Sequence, residues 1–108
     1  MEDSILITVK KLLGIPAEYT ELDVDIITNI NVAIGMLTQI GNVPFFEVQD
    51  SSATWDAYIP DDLVKRSVVK SYITKKTQLM FDSSTMTGAV ISALENQVKE
   101  AEYRISIM

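Results

Sequence analysis

The amino-acid sequence predicts an all-α fold: a small bundle of about four helices, with a long, partly extended connection between the second and the third. Three observations predict it. Apolar residues recur at helical spacing in four segments, and glycine, proline and other turn-forming residues separate those segments. The hydrophobic fraction of 47% is that of a globular protein with a core. Since 108 residues suit one compact domain better than two, we expect residues 1–108 to form a single helical domain.

The first helix is predicted in the stretch DSILITVKKLLGIP. The apolar residues that share one helical face there are Ile5, Val9, Leu12 and Leu13. Asp3 or Ser4 can cap the start of this helix, and Gly14 suits the left-handed position just past its end. Because Pro16 cannot continue a helix, the segment stops before it.

The second helix has the clearest pattern. Its apolar stripe consists of Ile26, Ile30, Ala33, Ile34, Leu37 and Ile40. Thr20 is the predicted N-cap, and Gly41 ends the helix. Asp23 and Asp25 diverge on a helix, so we interpret them as residues that favour the positive end of the helix dipole rather than as metal ligands. Gly35 lies opposite the stripe; either another chain packs close to the backbone there, or it is a tolerated surface glycine.

Residues 41–61 form the long connection, which is rich in turn-forming residues. The stretch PFFEV suits an extended backbone and is predicted as a short strand. The stretch TWDAYI is predicted as a single helical turn capped by Thr54. It contains Trp55, the only tryptophan in the chain. A tryptophan in a loop either anchors that loop to its own bundle, which we favour, or contacts a neighbouring subunit.

The third and fourth helices are predicted on either side of the link FDSSTMTG. The apolar face of the third consists of Val64, Val68, Tyr72 and Leu79, widened by Val69, Ile73 and Met80. The fourth runs from about Thr85 to Ile105, and its apolar line consists of Met86, Val90, Leu94, Val98, Ala101 and Ile105. At the end of the sequence, Ile105, Ile107 and Met108 alternate with Arg104 and Ser106. This pattern suits an extended segment that pairs with another chain. The alternative is that these residues complete the protomer's own core.

Residue types limit the chemistry of the chain. It contains no cysteine and no histidine, which excludes disulfides and thiolate catalysis and removes the commonest general base. Asp56, Asp61 and Asp62 are interpreted as turn and cap residues, because calcium-loop spacing is absent. No apolar run is long enough to span a membrane, so we expect a soluble, intracellular protein. We also expect no enzymatic activity, no cofactor and no metal.

The charge distribution leaves one alternative open. The formal net charge is −6, from 15 acidic and 9 basic residues, and an acidic chain is a poor candidate for counterion-release binding to DNA. Five basic residues gather in the third helix, namely Lys65, Arg66, Lys70, Lys75 and Lys76. They spread around that helix rather than lining one stripe. A small helical DNA-binding or regulatory domain is therefore the alternative function.

Five stretches carry a family resemblance: SILITVKKLLGI, EYTELDVDIITNIN, SATWDAYI, VKSYITKKTQLMFD and ENQVKEAEYRI. In this order and spacing they resemble the small head–tail connector (adaptor) proteins of long-tailed bacteriophages and prophages. The resemblance covers nearly all of the chain, and since none of the stretches is a catalytic signature, its specificity comes from their order and number. The chain departs from these proteins at Ser83 and Ser84, where they often carry prolines.

The resemblance implies a helical protomer that assembles into a ring, typically of twelve subunits, beneath the portal in the virion neck. Such a ring extends the DNA channel and presents a platform for the stopper or tail-completion protein. DNA would pass without sequence-specific binding, no membrane would be involved, and the protein would be made in the host cytoplasm. The predicted subunit or partner contacts are Gly35, Trp55, Lys70, Lys75, Ile105, Ile107 and Met108. The acidic residues predicted to face the lumen are Asp50, Asp56, Asp61 and Asp62.

Overall fold

Links of unequal length join the helices of this protein, and the longest joins the second helix to the third. The computed structural model describes residues 3–108, and all helix bounds refer to that part of the chain. The α-helices are α1 (Ile5–Leu12), α2 (Asp23–Ile40), α3 (Trp55–Tyr58), α4 (Leu63–Asp82) and α5 (Gly88–Ser106), with a 3-10 turn at Ser83–Thr85. The predicted all-α fold is confirmed. The last helix starts at Gly88 rather than near Thr85, because the Thr87 hydroxyl caps it by accepting a hydrogen bond from the Val90 N–H.

Local signals place most of the other helix ends. The Ser4 hydroxyl accepts a hydrogen bond from the Ile7 N–H at 3.2 Å and so caps α1. Gly14 and Gly41, with φ of +77° and +98°, follow α1 and α2 in a conformation that favours glycine. The predicted cap at Thr20 is wrong: its carbonyl accepts a hydrogen bond from the Asp23 N–H at 3.2 Å, which makes a turn ahead of α2.

Helix α4 lies at the centre of the bundle, because each of the other four α-helices packs against it. It forms an antiparallel hairpin with α5, while α1 and α2 also pack against each other. The buried residues of α1 and α2 are Ile5, Leu6, Val9, Ile26, Ile30, Ala33, Ile34 and Leu37. The stripe predicted for α2 is thus confirmed, apart from Ile40, which is half-buried.

The predicted apolar face of α4 is partly wrong. Val64 is 70% exposed, whereas Val69, Tyr72 and Ile73 are fully buried together with the polar Thr77. Apolar and polar residues are spread almost evenly around this helix, so the sequence pattern could not fix its orientation. In α5 the predicted line holds only in the second half, where Val98, Ala101 and Ile105 are buried; Val90, in the first half, is 46% exposed.

The connection between α2 and α3 is not a strand. Instead, the side-chain amide of Asn31 pairs with the backbone of Val48, accepting from its N–H at 2.8 Å and donating to its carbonyl at 2.9 Å. Phe46 stacks on Tyr58 with ring centroids 5.0 Å apart. One side chain of α2 thus supplies the hydrogen bonds that a neighbouring strand would have made.

The tryptophan of the connection is an anchor, which is the alternative that the sequence favours. Trp55 is 2% exposed, and its indole N–H donates to the Thr8 hydroxyl of α1 at 3.1 Å. Its backbone N–H donates to the carbonyl of Asp3, and the N–H of Ile5 donates to the carbonyl of Ala53, both at 3.0 Å. These bonds hold the α3 turn, which Thr54 caps as predicted, against the start of α1.

Candidate interaction surfaces

Within residues 3–108, no group of three or more acidic side chains is placed to hold a metal ion. In the same part of the chain no helix is long and apolar enough to cross a membrane. The surfaces that can carry a function are therefore judged by their exposed charge and their exposed apolar side chains.

Lys10 is a buried charge that the sequence pattern did not reveal. It is 1% exposed, and its ammonium lies 2.8 Å from Asp23 Oδ1. The same ammonium donates to the carbonyls of Ala17 and Tyr19 at 3.0 and 2.6 Å. A buried ammonium requires such partners, so Lys10 organises the link between α1 and α2 and is not available to a partner protein.

Two of the five basic residues of α4 are also occupied within the protomer. The Lys65 ammonium donates to the Asn42 carbonyl at 2.7 Å. The Arg66 guanidinium donates to the carbonyls of Ile59 and Pro60 at 2.8 and 3.0 Å. These side chains fasten both ends of the long connection to α4, which leaves fewer cations for an external ligand.

Lys70 and Lys75 lie in different grooves. Lys75 lines a groove between α4 and α5, and its ammonium donates to the Ser71 hydroxyl at 3.0 Å. Lys70 lines a separate groove of about 430 Å³ between α1 and α4, which we call the α1–α4 groove. The residues that line the α1–α4 groove are Thr8, Lys11, Leu12, Lys70 and Thr74.

The four acidic residues predicted to face a lumen are all exposed. Hydrogen bonds from the Ser52 hydroxyl and N–H lower the pKa of Asp50. A hydrogen bond from the Thr54 hydroxyl lowers the pKa of Asp56. The Asp62 carboxylate accepts from the Lys65 N–H at 2.9 Å and caps α4. The cap role predicted for Asp62 is confirmed, and Asp50 and Asp56 stay ionised at neutral pH.

The outer side of α2 is an exposed apolar face. Val24 is 75% exposed, and Val32 and Met36 are 44% and 42% exposed. Gly35 lies next to them, and a Cβ built there would meet nothing within 4 Å. No contact within residues 3–108 therefore explains the glycine, and its role in a contact with another chain stays a prediction.

The carboxyl end of the chain is helical, so the predicted extended tail is wrong. Helix α5 continues to Ser106, because the side-chain amide of Asn42 caps it by donating to the carbonyls of Ile105 and Ser106 at 2.9 and 3.2 Å. Asn42 adopts a left-handed φ of +66° to do so. Ile105 itself is fully buried.

Exposed apolar residues gather beyond that cap. Ile107 and Met108 are 66% and 42% exposed, and Leu63 and Val64, at the start of α4, are 73% and 70% exposed. Because α4 and α5 are antiparallel, the start of one lies beside the end of the other. The bundle therefore presents an apolar surface at this end, to which the sequence pointed only through its last two residues.

A family model described as "Phage connector protein" matches residues 5–108 of this chain. No curated protein and no solved structure matches this chain.

Proposed function

The chain belongs to the phage connector protein family, and from that premise we propose that it is a structural protein of the virion neck. In this proposal the protein assembles into a ring that joins the portal to the tail or stopper and extends the DNA channel. The observation that carries the proposal is the extent of the family match, which begins at the first residue of α1 and includes every helix of the fold.

The surface of the protomer supports association with other proteins. Twelve large hydrophobic side chains among residues 3–108 are exposed, including those of the outer face of α2 and of the carboxyl end. Contiguous exposed apolar patches are typical of protein–protein contacts. A ring also requires that one surface of the protomer fit a different surface of its neighbour, and the exposed apolar residues are distributed over more than one part of the bundle.

The acidic residues support a channel that DNA can pass. A wall of carboxylates repels phosphate and releases no condensed counterions, so DNA gains nothing by staying on it. Asp50, Asp56, Asp61 and Asp62 are exposed in the segment between α2 and α4, and we propose that carboxylates of this segment face the lumen. A ring structure lined mainly by lysine and arginine side chains of α4 would contradict this assignment.

The alternative function, DNA binding through α4, is weakened by the placement of its basic residues. Lys65 and Arg66 donate to carbonyls of the same protomer, and Lys70 and Lys75 line different grooves. A phosphate backbone is tracked by a continuous row of cations, and α4 does not present such a row.

Mass measurement tests the proposed function. Native mass spectrometry and sedimentation velocity of the purified protein, alone and mixed with the portal of the same phage, should reveal a closed oligomer or a complex with the portal. A protein that stays monomeric in both experiments contradicts the proposal. In parallel, a gel-shift assay with duplex DNA at about 50 and 200 mM salt should show no salt-dependent complex, whereas such a complex would favour the alternative.

A further inference from the structure

The α1–α4 groove combines an apolar floor with two cations. Leu12 is 45% exposed on its α1 side, and the ammonium groups of Lys11 and Lys70 belong to exposed side chains at its edge. Among residues 3–108, none of the residues that line the groove is acidic. The Lys70 ammonium lies 5.9 Å from the centre of the buried Trp55 ring, and within residues 3–108 neither lysine forms an ion pair with a carboxylate. Such a groove suits a segment that carries a large apolar side chain beside a carboxylate.

The connection between α2 and α3 presents such a segment. Exposure alternates along it: Phe46 and Val48 turn inwards, while Phe45 and Glu47 are exposed. Phe45 is 72% exposed. Side chains two residues apart in an extended segment lie on the same edge, roughly 7 Å from each other. An aromatic ring and a carboxylate thus project side by side from what we call the Phe45–Glu47 edge.

The inward side chains hold this edge away from the rest of its own protomer. Phe46 is stacked on Tyr58, and Val48 is held at both its N–H and its carbonyl by Asn31. An edge fixed in this way loses little conformational freedom when it binds a partner, which favours its use as a contact.

We infer that the Phe45–Glu47 edge of one copy of the chain docks into the α1–α4 groove of the next copy, with Phe45 against Leu12 and Glu47 beside Lys11 and Lys70. This inference rests on the proposed ring and names one of its contacts. The contact joins two different surfaces, as rotational assembly requires. It also places the carboxylate of one copy beside the two lysines of the next, whereas copies with a net charge of −6 otherwise repel each other.

A pair of variants tests the contact. The groove variant carries Lys11→Glu and Lys70→Glu, and the edge variant carries Phe45→Ala and Glu47→Lys. Each alone should associate at least about 30-fold more weakly than the wild type, the usual effect of losing an interface anchor worth about 2 kcal/mol. Mixed together, they should form a dimer of one groove variant and one edge variant and nothing larger. In that dimer the intact edge of one protein occupies the intact groove of the other.

Matched controls separate the possible outcomes of sedimentation velocity and native mass spectrometry. The control variant Lys76→Glu with Lys99→Glu changes the charge equally in a different groove and should assemble like the wild type. If the wild type forms rings and both test variants do so equally well, the inference is overturned while the proposed function stands. If the wild type stays monomeric with and without the portal, the proposed function fails, and this contact fails with it.

Cysteine cross-linking gives a second measurement that does not depend on charge-reversed variants. The chain contains no cysteine, so Leu12→Cys and Phe45→Cys introduce the only thiols. Under mild oxidation, a mixture of the two single variants should give the mixed disulfide dimer in large excess over either homodimer. A distribution of dimers no different from random pairing overturns the inference.

Discussion

Two buried tyrosines allow one chemical change to be tested in two environments. Tyr58 is 1% exposed, and within residues 3–108 its hydroxyl has no hydrogen-bond partner. Tyr72 is fully buried, but its hydroxyl donates to Glu102 Oε2 at 3.2 Å and links α4 to α5. Replacement by phenylalanine removes only the oxygen and keeps the ring. We therefore expect Tyr58→Phe to stabilise the protomer and Tyr72→Phe to destabilise it.

The magnitudes follow from what each hydroxyl does. An unpaired buried hydroxyl costs about 1–3 kcal/mol in proteins, so the free energy of unfolding should rise by about 1 kcal/mol in Tyr58→Phe. A hydrogen bond to a charged group contributes about 1.5–3 kcal/mol. Glu102 is only half-buried, so water can replace part of that bond. We therefore expect the free energy of unfolding to fall by about 1 kcal/mol in Tyr72→Phe. In a domain of this size about 1 kcal/mol shifts the Tm by about 4 °C, so the two variants should differ by about 8 °C.

Alkaline pH adds a second comparison. Burial raises the pKa of Tyr58 and of Tyr72, and the neighbouring Glu102 raises that of Tyr72 further. As pH rises above about 10, the unfolded chain loses these phenolic protons first. The folded state then binds more protons, so the free energy of unfolding falls by about 1.4 kcal/mol per pH unit for each tyrosine. In Tyr58→Phe the free energy of unfolding should therefore fall less steeply with pH, by about 1.4 kcal/mol per pH unit.

The assay is thermal or urea unfolding followed by the fluorescence of Trp55, the only tryptophan. It requires a concentration at which the protein is monomeric, because association raises the apparent stability. If both variants shift the Tm in the same direction, hydrogen-bond pairing does not decide what each hydroxyl contributes to stability. An unchanged alkaline slope in Tyr58→Phe would refute the pH argument separately.

Three further predictions concern the buried lysine, the left-handed asparagine and the tail. Lys10→Met leaves Asp23 and two carbonyls without their cation. We expect the free energy of unfolding, measured with urea, to fall by about 2–3 kcal/mol. This is less than at a fully buried pair, because Asp23 is 23% exposed. Asn42→Ala and Asn42→Gly both remove the cap of α5, but only the alanine is strained by the left-handed backbone. The free energy of unfolding should therefore be about 1 kcal/mol lower in Asn42→Ala than in Asn42→Gly, as measured by urea unfolding. Deleting the exposed Ile107 and Met108 should change the Tm by less than about 2 °C and weaken portal binding in a pull-down. A large decrease of the Tm with portal binding intact would instead assign both residues to the core.

Helices with local signals were predictable from the sequence. The apolar stripe of α2 repeats at helical spacing, and the caps at Ser4 and Thr54 precede their helices directly, so each signal lies within a few residues of what it determines. In α4 this failed, since apolar residues lie all around the helix and the buried side includes Thr77. Which side of such a helix faces inwards depends on the other helices, and this information is not local.

The side chains that fix the long connection were missed for a related reason. The side-chain amides of Asn31 and Asn42 bond to backbone groups, and a backbone group leaves no mark in a sequence. Asn42 bonds to Ile105 and Ser106, which are separated from it by 63 and 64 positions in the chain. Asn31 bonds to Val48, at a separation of 17 positions. The length of the connection is evident in the sequence, but the polar residues that hold it in place could only be found from the fold.

The same limit applies to the candidate contact surfaces. Helix α2 carries apolar residues on its inner stripe and again at Val24, Val32 and Met36, yet only the inner stripe is covered in the protomer. A periodicity reports that a side chain is apolar and does not report which chain covers it. A protein that assembles into a ring has two sets of apolar positions, one buried by folding and one by association, and both contribute to a single pattern. A helix of such a protein therefore has an indistinct pattern where the two sets overlap.

In the proposed ring, the exposed Leu63 and Val64 of α4 would belong to the set that association buries, and their response to substitution tests this assignment. If they belong to an interface, Leu63→Ser with Val64→Ser should leave the Tm of the monomer within about 2 °C of the wild type and weaken association. A large loss of monomer stability would instead place both residues in the protomer's core.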